Sequence, residues 1–144
     1  MAVHGVRFIG HLMQYKDTME GIPWYFFSII KIGGHIMIIA VDFDGTLCEE
    51  CWPEIGKPNL KLIGELIYRR SLGDRLILWT CRSGIQLTQA VFFCKSYGLE
   101  FDAVNENLPD IIEKYGNDSR KISADIYIDD RSEKPWVTLL EKAV

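Results

Sequence analysis

Long apolar runs and a strong net charge of either sign are both missing from this chain. The longest apolar stretch, residues 22–30, contains a proline and stops at Lys31, about half of the roughly 20 residues that a membrane span requires. No signal-peptide cleavage pattern follows it, and the net charge of −4 implies no surface for polyanions. We therefore expect a cytoplasmic protein with no membrane partner, whose 144 residues bury one core of ordinary size.

Histidine is scarce, and its few copies all precede residue 36, at His4, His11 and His35. Residues 1–36 show no clear period of 3.6 or 2, and Gly33-Gly34 can be encoded by a ribosome-binding sequence spaced correctly before Met37. We hypothesise that Met37 is the natural start and that residues 1–36 are an extension translated from upstream; the alternative is an extension that packs as a strand or helix. A domain over residues 37–144 would contain no histidine, which excludes a Ser-His-Asp triad and a histidine-ligated metal site.

Two aspartates end the most apolar segment of the chain. Residues 36–41 (IMIIAV) predict a buried parallel strand. Residues two apart in an extended chain point to the same side, so Asp42 and Asp44 are expected to share one crevice, while Gly45 allows a sharp exit. Two close carboxylates repel each other unless a cation lies between them, and oxygen ligands of this hardness suit Mg²⁺.

The rest of the domain alternates helical and strand-like segments. The apolar spacing predicts helices over residues 58–72, 84–97, 109–115 and 136–142, and strands over residues 75–80, 101–104 and 125–128. This order predicts a doubly wound parallel sheet in a three-layer α/β/α arrangement. Ligands of such sheets bind beyond the carboxyl ends of the strands, and Asp42, Thr80 and Asp129 all fall at such ends.

These strand ends resemble the motifs of the haloacid dehalogenase (HAD) superfamily, whose members mostly hydrolyse phosphate esters. Residues 42–46 (DFDGT) resemble the first motif, residues 76–80 (LILWT) the second and residues 124–130 (ADIYIDD) the fourth. The third motif is a lysine, for which we favour Lys121 over its competitor Lys114. The chain looks closest to small, capless, bacterial HAD-like hydrolases with a Rossmann-like core.

The resemblance implies a Mg²⁺-dependent phosphatase in which Asp42 forms an aspartyl-phosphate. Asp44 would be the general acid and base, Thr80 would bind the phosphate, and Lys121 would balance its charge. The metal ligands that the resemblance implies are the Asp42 side chain, the Asp44 backbone carbonyl and the pair Asp129 and Asp130, with Asp129 preferred for direct contact.

The spacing of the motifs bears on the substrate. Only residues 45–79, which include a whole predicted helix, separate the first motif from the second, so we expect no sizeable cap domain. An open site suits a large substrate, or a small one enclosed by a partner subunit of an oligomer. We expect a small phosphomonoester such as a nucleotide or sugar phosphate. The alternatives are a nucleic-acid 3′-end phosphatase and a non-catalytic domain that binds a phosphorylated ligand through the same metal site.

Two arginines also follow strand-end motifs. Arg82 comes two residues after Thr80, and Arg131 directly follows the acidic pair. Each fits either an anionic group of the ligand or a surface salt bridge to a neighbouring carboxylate.

The cysteines allow more than one interpretation. Cys48 and Cys51 have the spacing of a zinc knuckle or a redox pair. A structural zinc would also need Cys81 and Cys94, whose own spacing is wrong for a second knuckle. We expect reduced thiols, with a redox switch at Cys48 and Cys51 as the alternative.

Overall fold

We describe residues 35–132 of a computed structural model of the chain. The chain divides into two units, Met1–His35 and Ile36–Val144, and the described residues belong to the second, apart from His35. The predicted extension over residues 1–36 and the predicted helix over residues 136–142 lie outside the described residues, apart from His35 and Ile36. The hypothesis that Met37 is the natural start therefore stays a hypothesis.

A parallel sheet forms the centre of the described unit. Its four strands are β1 (Ile38–Val41), β2 (Arg75–Leu78), β3 (Ala103–Val104) and β4 (Ile126–Ile128). They lie side by side in the order β3-β2-β1-β4, and every neighbouring pair is parallel. Each predicted strand is present and is one or two residues shorter than its apolar run. The predicted α/β fold with a parallel sheet is confirmed.

Three helices connect the strands, namely α1 (Leu60–Ser71), α2 (Gly84–Ser96) and α3 (Pro109–Tyr115). The prediction that Pro58 opens α1 is wrong by two residues. Asn59 caps this helix instead, because its side-chain oxygen accepts the Leu62 N–H at 3.2 Å and satisfies a donor that would otherwise have no partner. The helix stops before Gly73, whose φ of +99° suits glycine alone among common residues.

The sheet buries apolar side chains on both faces. On one face, side chains of β1 and β2 pack against α1 and α2, and this cluster includes Ile39, Val41, Leu76, Leu78, Ile63, Leu66, Ala90 and Cys94. On the opposite face lies a smaller cluster beside α3, which includes Ala40, Ile77, Ala103, Leu108, Ile111 and Ile122. Because alternate residues of a strand point to opposite faces, Asp42 follows Ala40 toward the α3 side.

An aspartate precedes each of the three later strands and closes the amino-terminal edge of the sheet. Their carboxylates accept backbone N–H groups of the neighbouring strand region, with Asp74 bound to Met37 at 2.9 Å, Asp102 to Leu76 at 2.8 Å and Asp125 to Ile38 at 2.8 Å. Asp74 also forms a buried ion pair with Arg69, whose Nε lies 2.6 Å from Oδ2. These three backbone N–H groups thus find acceptors in the aspartates that precede the strands.

Residues 45–79, all described, contain a loop, α1 and β2 and no further domain. This agrees with the absence of a cap between the first two motifs. Within residues 35–132, no helix combines the length and the apolar character that crossing a membrane demands.

Candidate active site

Three carboxylates converge at the carboxyl edge of the sheet. Asp42 follows β1, while Asp129 and Asp130 follow β4, and the Asp42 N–H donates to the Ile128 carbonyl at 2.9 Å. One oxygen from each of the three carboxylates lies within 4.8 Å of the others. The chain leaves β1 toward β2 and returns on the other side as β4, so this acidic cluster occupies the switch point where such sheets bind ligands.

The electrostatics of the acidic cluster are unfavourable without a counter-ion. The pKa of Asp42 is raised to about 6, mainly by burial and also by the negative charges of Asp129, Asp130 and Asp44, against a hydrogen bond from the Phe43 backbone that lowers it. Asp129 and Asp130 are exposed. A hard divalent cation would relieve this repulsion.

The turn after β1 holds Asp130 in place. The buried Thr46 hydroxyl accepts the Asp130 N–H at 3.1 Å. Gly45 has a φ of +75°, and a Cβ at this position would lie 2.9 Å from Cγ of Asp130 and closer still to Oδ2. The fourth residue of the first motif, Gly45, must therefore be glycine for two reasons, its backbone conformation and the space that the Asp130 carboxylate needs.

Asp44 turns its carboxylate away from the acidic cluster and toward Arg82. Arg82 Nε donates to Oδ2 at 2.8 Å and Nη2 donates to Oδ1 at 2.7 Å. The metal role that the resemblance gives to Asp44 uses its backbone carbonyl, and that role stays a prediction. In that role the Asp44 side chain would not need to contact the metal.

Arg82 is not a surface residue. It is only 1% exposed, and its guanidinium carbon lies 5.0 Å from the ring centroids of both Phe43 and Trp52. It also donates to the carbonyls of Pro53 at 3.1 Å and Glu54 at 2.8 Å. Arg82 therefore forms a salt bridge to a neighbouring carboxylate, but the bridge is buried and not on the surface as predicted. Because its guanidinium is buried, Arg82 is also not open to an anionic ligand. Arg131 is exposed.

Thr80 lies at the same edge, where Asn105 fixes the backbone. The Thr80 N–H donates to Asn105 Oδ1 at 2.8 Å, and the Thr80 hydroxyl accepts the Arg82 N–H at 3.2 Å. That hydroxyl keeps its own proton as a donor. Asn105 was not identified from the sequence; it has a φ of +55° directly after β3, and asparagine after a strand is a signal for this left-handed conformation.

The two lysines considered for the third motif, Lys121 and Lys114, have different surroundings. Lys121 is exposed and lines a cavity of about 440 Å³ with residues that include Ile111 and Tyr127. Lys114 lies with Nζ 5.2 Å from the ring centroid of Tyr115. Among residues 35–132, no ion pair joins either lysine to the acidic cluster, so the role of Lys121 stays a prediction.

All four cysteines are free thiols, of which Cys48 and Cys94 are buried and Cys51 and Cys81 are exposed. Burial raises the pKa of Cys94 to about 12 and raises that of Cys48. Within the described part of the chain, the group of side chains suited to a metal contains carboxylates alone.

Comparison with known proteins places the fold among solved structures. No family model and no curated protein matches the chain. A solved structure of a conserved protein from Bacteroides thetaiotaomicron is similar to it, with 42% sequence identity and a TM-score of 0.61 over 68% of this chain and 78% of that protein. At this identity and coverage, the chain belongs to the same family as the conserved Bacteroides thetaiotaomicron protein.

Proposed function

We propose that the chain is a Mg²⁺-dependent phosphatase of the HAD superfamily, which hydrolyses small phosphomonoesters through an aspartyl-phosphate on Asp42. The observation that carries this proposal is the acidic cluster at the switch point, with three carboxylate oxygens within 4.8 Å of one another. A second aspartate, Asp44, stands two residues beyond the first. This combination supports phosphoryl transfer because the reaction needs a nucleophile, an acid-base group and a place for a cation together.

The donor set fits magnesium. Asp42, Asp129 and Asp130 would hold the ion, since they supply hard oxygen ligands, and burial together with the neighbouring negative charges raises the pKa of Asp42 to about 6. When bound, Mg²⁺ supplies positive charge that attracts a phosphate dianion and offsets its repulsion with the carboxylates.

The protein's own residues supply the remaining steps. An oxygen of the Asp42 carboxylate attacks phosphorus, so that a bond from this oxygen to phosphorus forms while the bond to the leaving oxygen breaks. Asp44 gives a proton to the leaving oxygen. It then takes a proton from the water that attacks the aspartyl-phosphate, and inorganic phosphate and free Asp42 are released.

Thr80 supports binding of the phosphate oxygens. Its hydroxyl accepts the Arg82 N–H at 3.2 Å, which leaves its own proton free for an oxygen of the ligand. The Thr80 N–H is already bound to Asn105. Lys121 is the proposed counter-charge.

A small substrate is the best fit to the surroundings of the site. Arg82 is buried, and the neighbouring aspartates give this edge a negative charge. A phosphate backbone would be repelled here, since nucleic acids bind through several exposed cations. Nucleotides and sugar phosphates carry the reacting phosphate without such a backbone.

The test is phosphate release from p-nitrophenyl phosphate, with Mg²⁺ and with EDTA. We expect Mg²⁺-dependent turnover by the wild type, background turnover by Asp42→Asn, and wild-type turnover by Asp110→Asn. Asp110 is a matched control because its carboxylate pairs with Arg75 at 2.7 Å on the surface. Acid quenching should trap a phosphoryl group on Asp42, located by mass spectrometry.

Turnover that survives in EDTA or in Asp42→Asn would contradict the proposal. If the wild type binds Mg²⁺ and inorganic phosphate but hydrolyses neither aryl nor alkyl phosphates, the chain is a phosphate-binding domain. Screening nucleotides, sugar phosphates and 3′-phosphorylated oligonucleotides then defines the substrate of an active enzyme.

A further inference from the structure

Arg82 uses one buried guanidinium to join two parts of the molecule. Two of its hydrogen bonds go to the Asp44 carboxylate, and two go to the carbonyls of Pro53 and Glu54. The Arg82 side chain is completely buried, whereas the Asp44 side chain is 18% exposed. A buried charge without partners is strongly destabilising. Arg82 therefore needs both the Asp44 carboxylate and the loop carbonyls, and the positions of these two groups depend on each other.

The carbonyls belong to a loop that Arg82 holds at its tip. We call residues 49–57 the flanking loop; the Glu49 N–H donates to the Lys57 carbonyl at 2.9 Å and closes its base. Among residues 35–132, the hydrogen bonds that tie the tip, residues 51–54, to the rest of the protein are those from Arg82. The Trp52 ring also covers the guanidinium at 5.0 Å.

The same contacts fix the orientation of Asp44. The fork of an arginine side chain matches both oxygens of a carboxylate, which sets the plane of the carboxylate as well as its position. Each oxygen keeps a second lone pair for another partner. Arg82 is hidden behind Asp44 and the flanking loop, so it can act on a substrate only through Asp44.

We propose that Arg82 is a positioning residue that couples the flanking loop to Asp44. The acid-base carboxyl of Asp44 has the correct orientation only while the tip of the loop keeps its hydrogen bonds to Arg82. This inference rests on the proposed phosphatase function for its consequence in catalysis. Its structural half, the coupling of loop and carboxylate, rests on the hydrogen bonds alone.

The first experiment compares Arg82→Lys with Arg69→Lys. Both changes keep the positive charge and remove the fork, and both act on a buried arginine–aspartate pair, since Arg69 Nε lies 2.6 Å from Asp74 at the opposite edge of the sheet. We expect Arg82→Lys to lower kcat about 100-fold on alkyl phosphates, the size of a lost general acid, with KM within about twofold of the wild type. Arg69→Lys keeps wild-type kcat.

A comparison of two leaving groups distinguishes a misplaced Asp44 carboxyl from a general loss of stability. p-Nitrophenolate leaves readily without a proton, whereas an alkoxide needs one, so the loss of kcat/KM in Arg82→Lys, which covers the steps up to release of the leaving group, should be much smaller on p-nitrophenyl phosphate. A variant that was merely unstable would lose both activities in proportion. Equal losses of kcat/KM on the two substrates, or an unchanged kcat on alkyl phosphates, would overturn the catalytic role.

The second experiment needs no activity. Glutamyl endopeptidase cleaves after Glu54 only when the tip of the flanking loop is released, and cleavage of an opened segment follows its population. We expect cleavage after Glu54 to be about tenfold faster in Arg82→Lys and in Asp44→Asn than in the wild type, and unchanged in Arg69→Lys. Asp44→Asn leaves Arg82 intact and so tests the coupling if Arg82→Lys does not fold.

The outcomes are distinguishable. A wild type that is inactive on every phosphate ester removes the proposed function, and the proteolysis result still decides the coupling. An active wild type whose loop is cleaved equally fast in Asp44→Asn and in the unaltered protein removes the coupling and leaves the phosphatase in place.

Discussion

Removing the charge of Asp42 should stabilise the protein in the absence of metal. The pKa of this carboxyl is about 6 in the folded chain against 3.8 for an ordinary aspartate. At about 1.4 kcal/mol per pKa unit this difference corresponds to about 3 kcal/mol, and solvent screening in the partly open crevice reduces it to about 1–2 kcal/mol. Asp42→Asn should gain this amount above pH 6, with a rise in Tm of about 3–6 °C.

The pH dependence has a definite sign. Because the folded pKa lies above the unfolded one, the native state binds the additional proton between about pH 4 and pH 6, and it loses stability relative to the unfolded chain as the pH rises through this window. Asparagine carries no charge at any of these values. The gain in Asp42→Asn should therefore be present at about pH 7.5 and absent at about pH 4.

Thermal denaturation followed by circular dichroism measures both effects, in EDTA and in MgCl₂. A ligand at 100 times its Kd adds about 2.7 kcal/mol to the folded state, so Mg²⁺ should raise the Tm of the wild type and leave that of Asp42→Asn unchanged. Asp110→Asn is the control of opposite sign, because Arg75 lowers the pKa of that carboxyl. An Asp42→Asn protein that is less stable than the wild type in EDTA at about pH 7.5, or a difference that is the same at about pH 4, would refute the reasoning.

Three further predictions follow from the turn and the thiols. Gly45→Ala should abolish the stabilisation of the fold by Mg²⁺, because the new Cβ overlaps Asp130. Gly116→Ala is the control: it has a similar φ of +72° with nothing within 4 Å, so it should lose folding stability but keep its stabilisation by Mg²⁺. If Mg²⁺ stabilises both variants equally in denaturation assays, this prediction is wrong. Thr46→Val should weaken Mg²⁺ binding in calorimetry and lower the free energy of unfolding by about 1 kcal/mol, since it removes the acceptor of the Asp130 N–H. Alkylation of the native protein, read by peptide mass, should modify two cysteines well before the others, and those are the exposed Cys51 and Cys81.

The fold could be predicted because its determinants are local. Apolar runs of strand length alternate with segments of helical period, and this order alone selects a parallel sheet. The ends of β1 and β4 carry their aspartates in sequence, so convergence of Asp42 and Asp129 follows from the topology. The start of α1 was misplaced because proline and asparagine are both good signals there, and the hydrogen bond of Asn59 decides between them.

The partner of Asp44 could not be predicted in the same way. Strand alternation directs Asp42 and Asp44 to one side, but Asp44 already lies in the turn, where alternation no longer applies. Its orientation depends on Arg82, and the burial of Arg82 depends in turn on two carbonyls of the flanking loop. Such contacts join segments distant in sequence, and no local pattern encodes them. The hydrogen bond from the Thr80 N–H to Asn105 also joins distant segments, although asparagine directly after a strand is a local signal for the left-handed conformation of Asn105.

The aspartates at the two edges of the sheet have different structural roles. Asp74, Asp102 and Asp125 bind backbone N–H groups where the strands begin, and the acidic cluster lies where they end. The carboxylates that hold the architecture are thus physically separate from those available for chemistry. Substitutions at the acidic cluster can therefore alter the proposed ion binding without removing the hydrogen bonds that hold the beginnings of the strands.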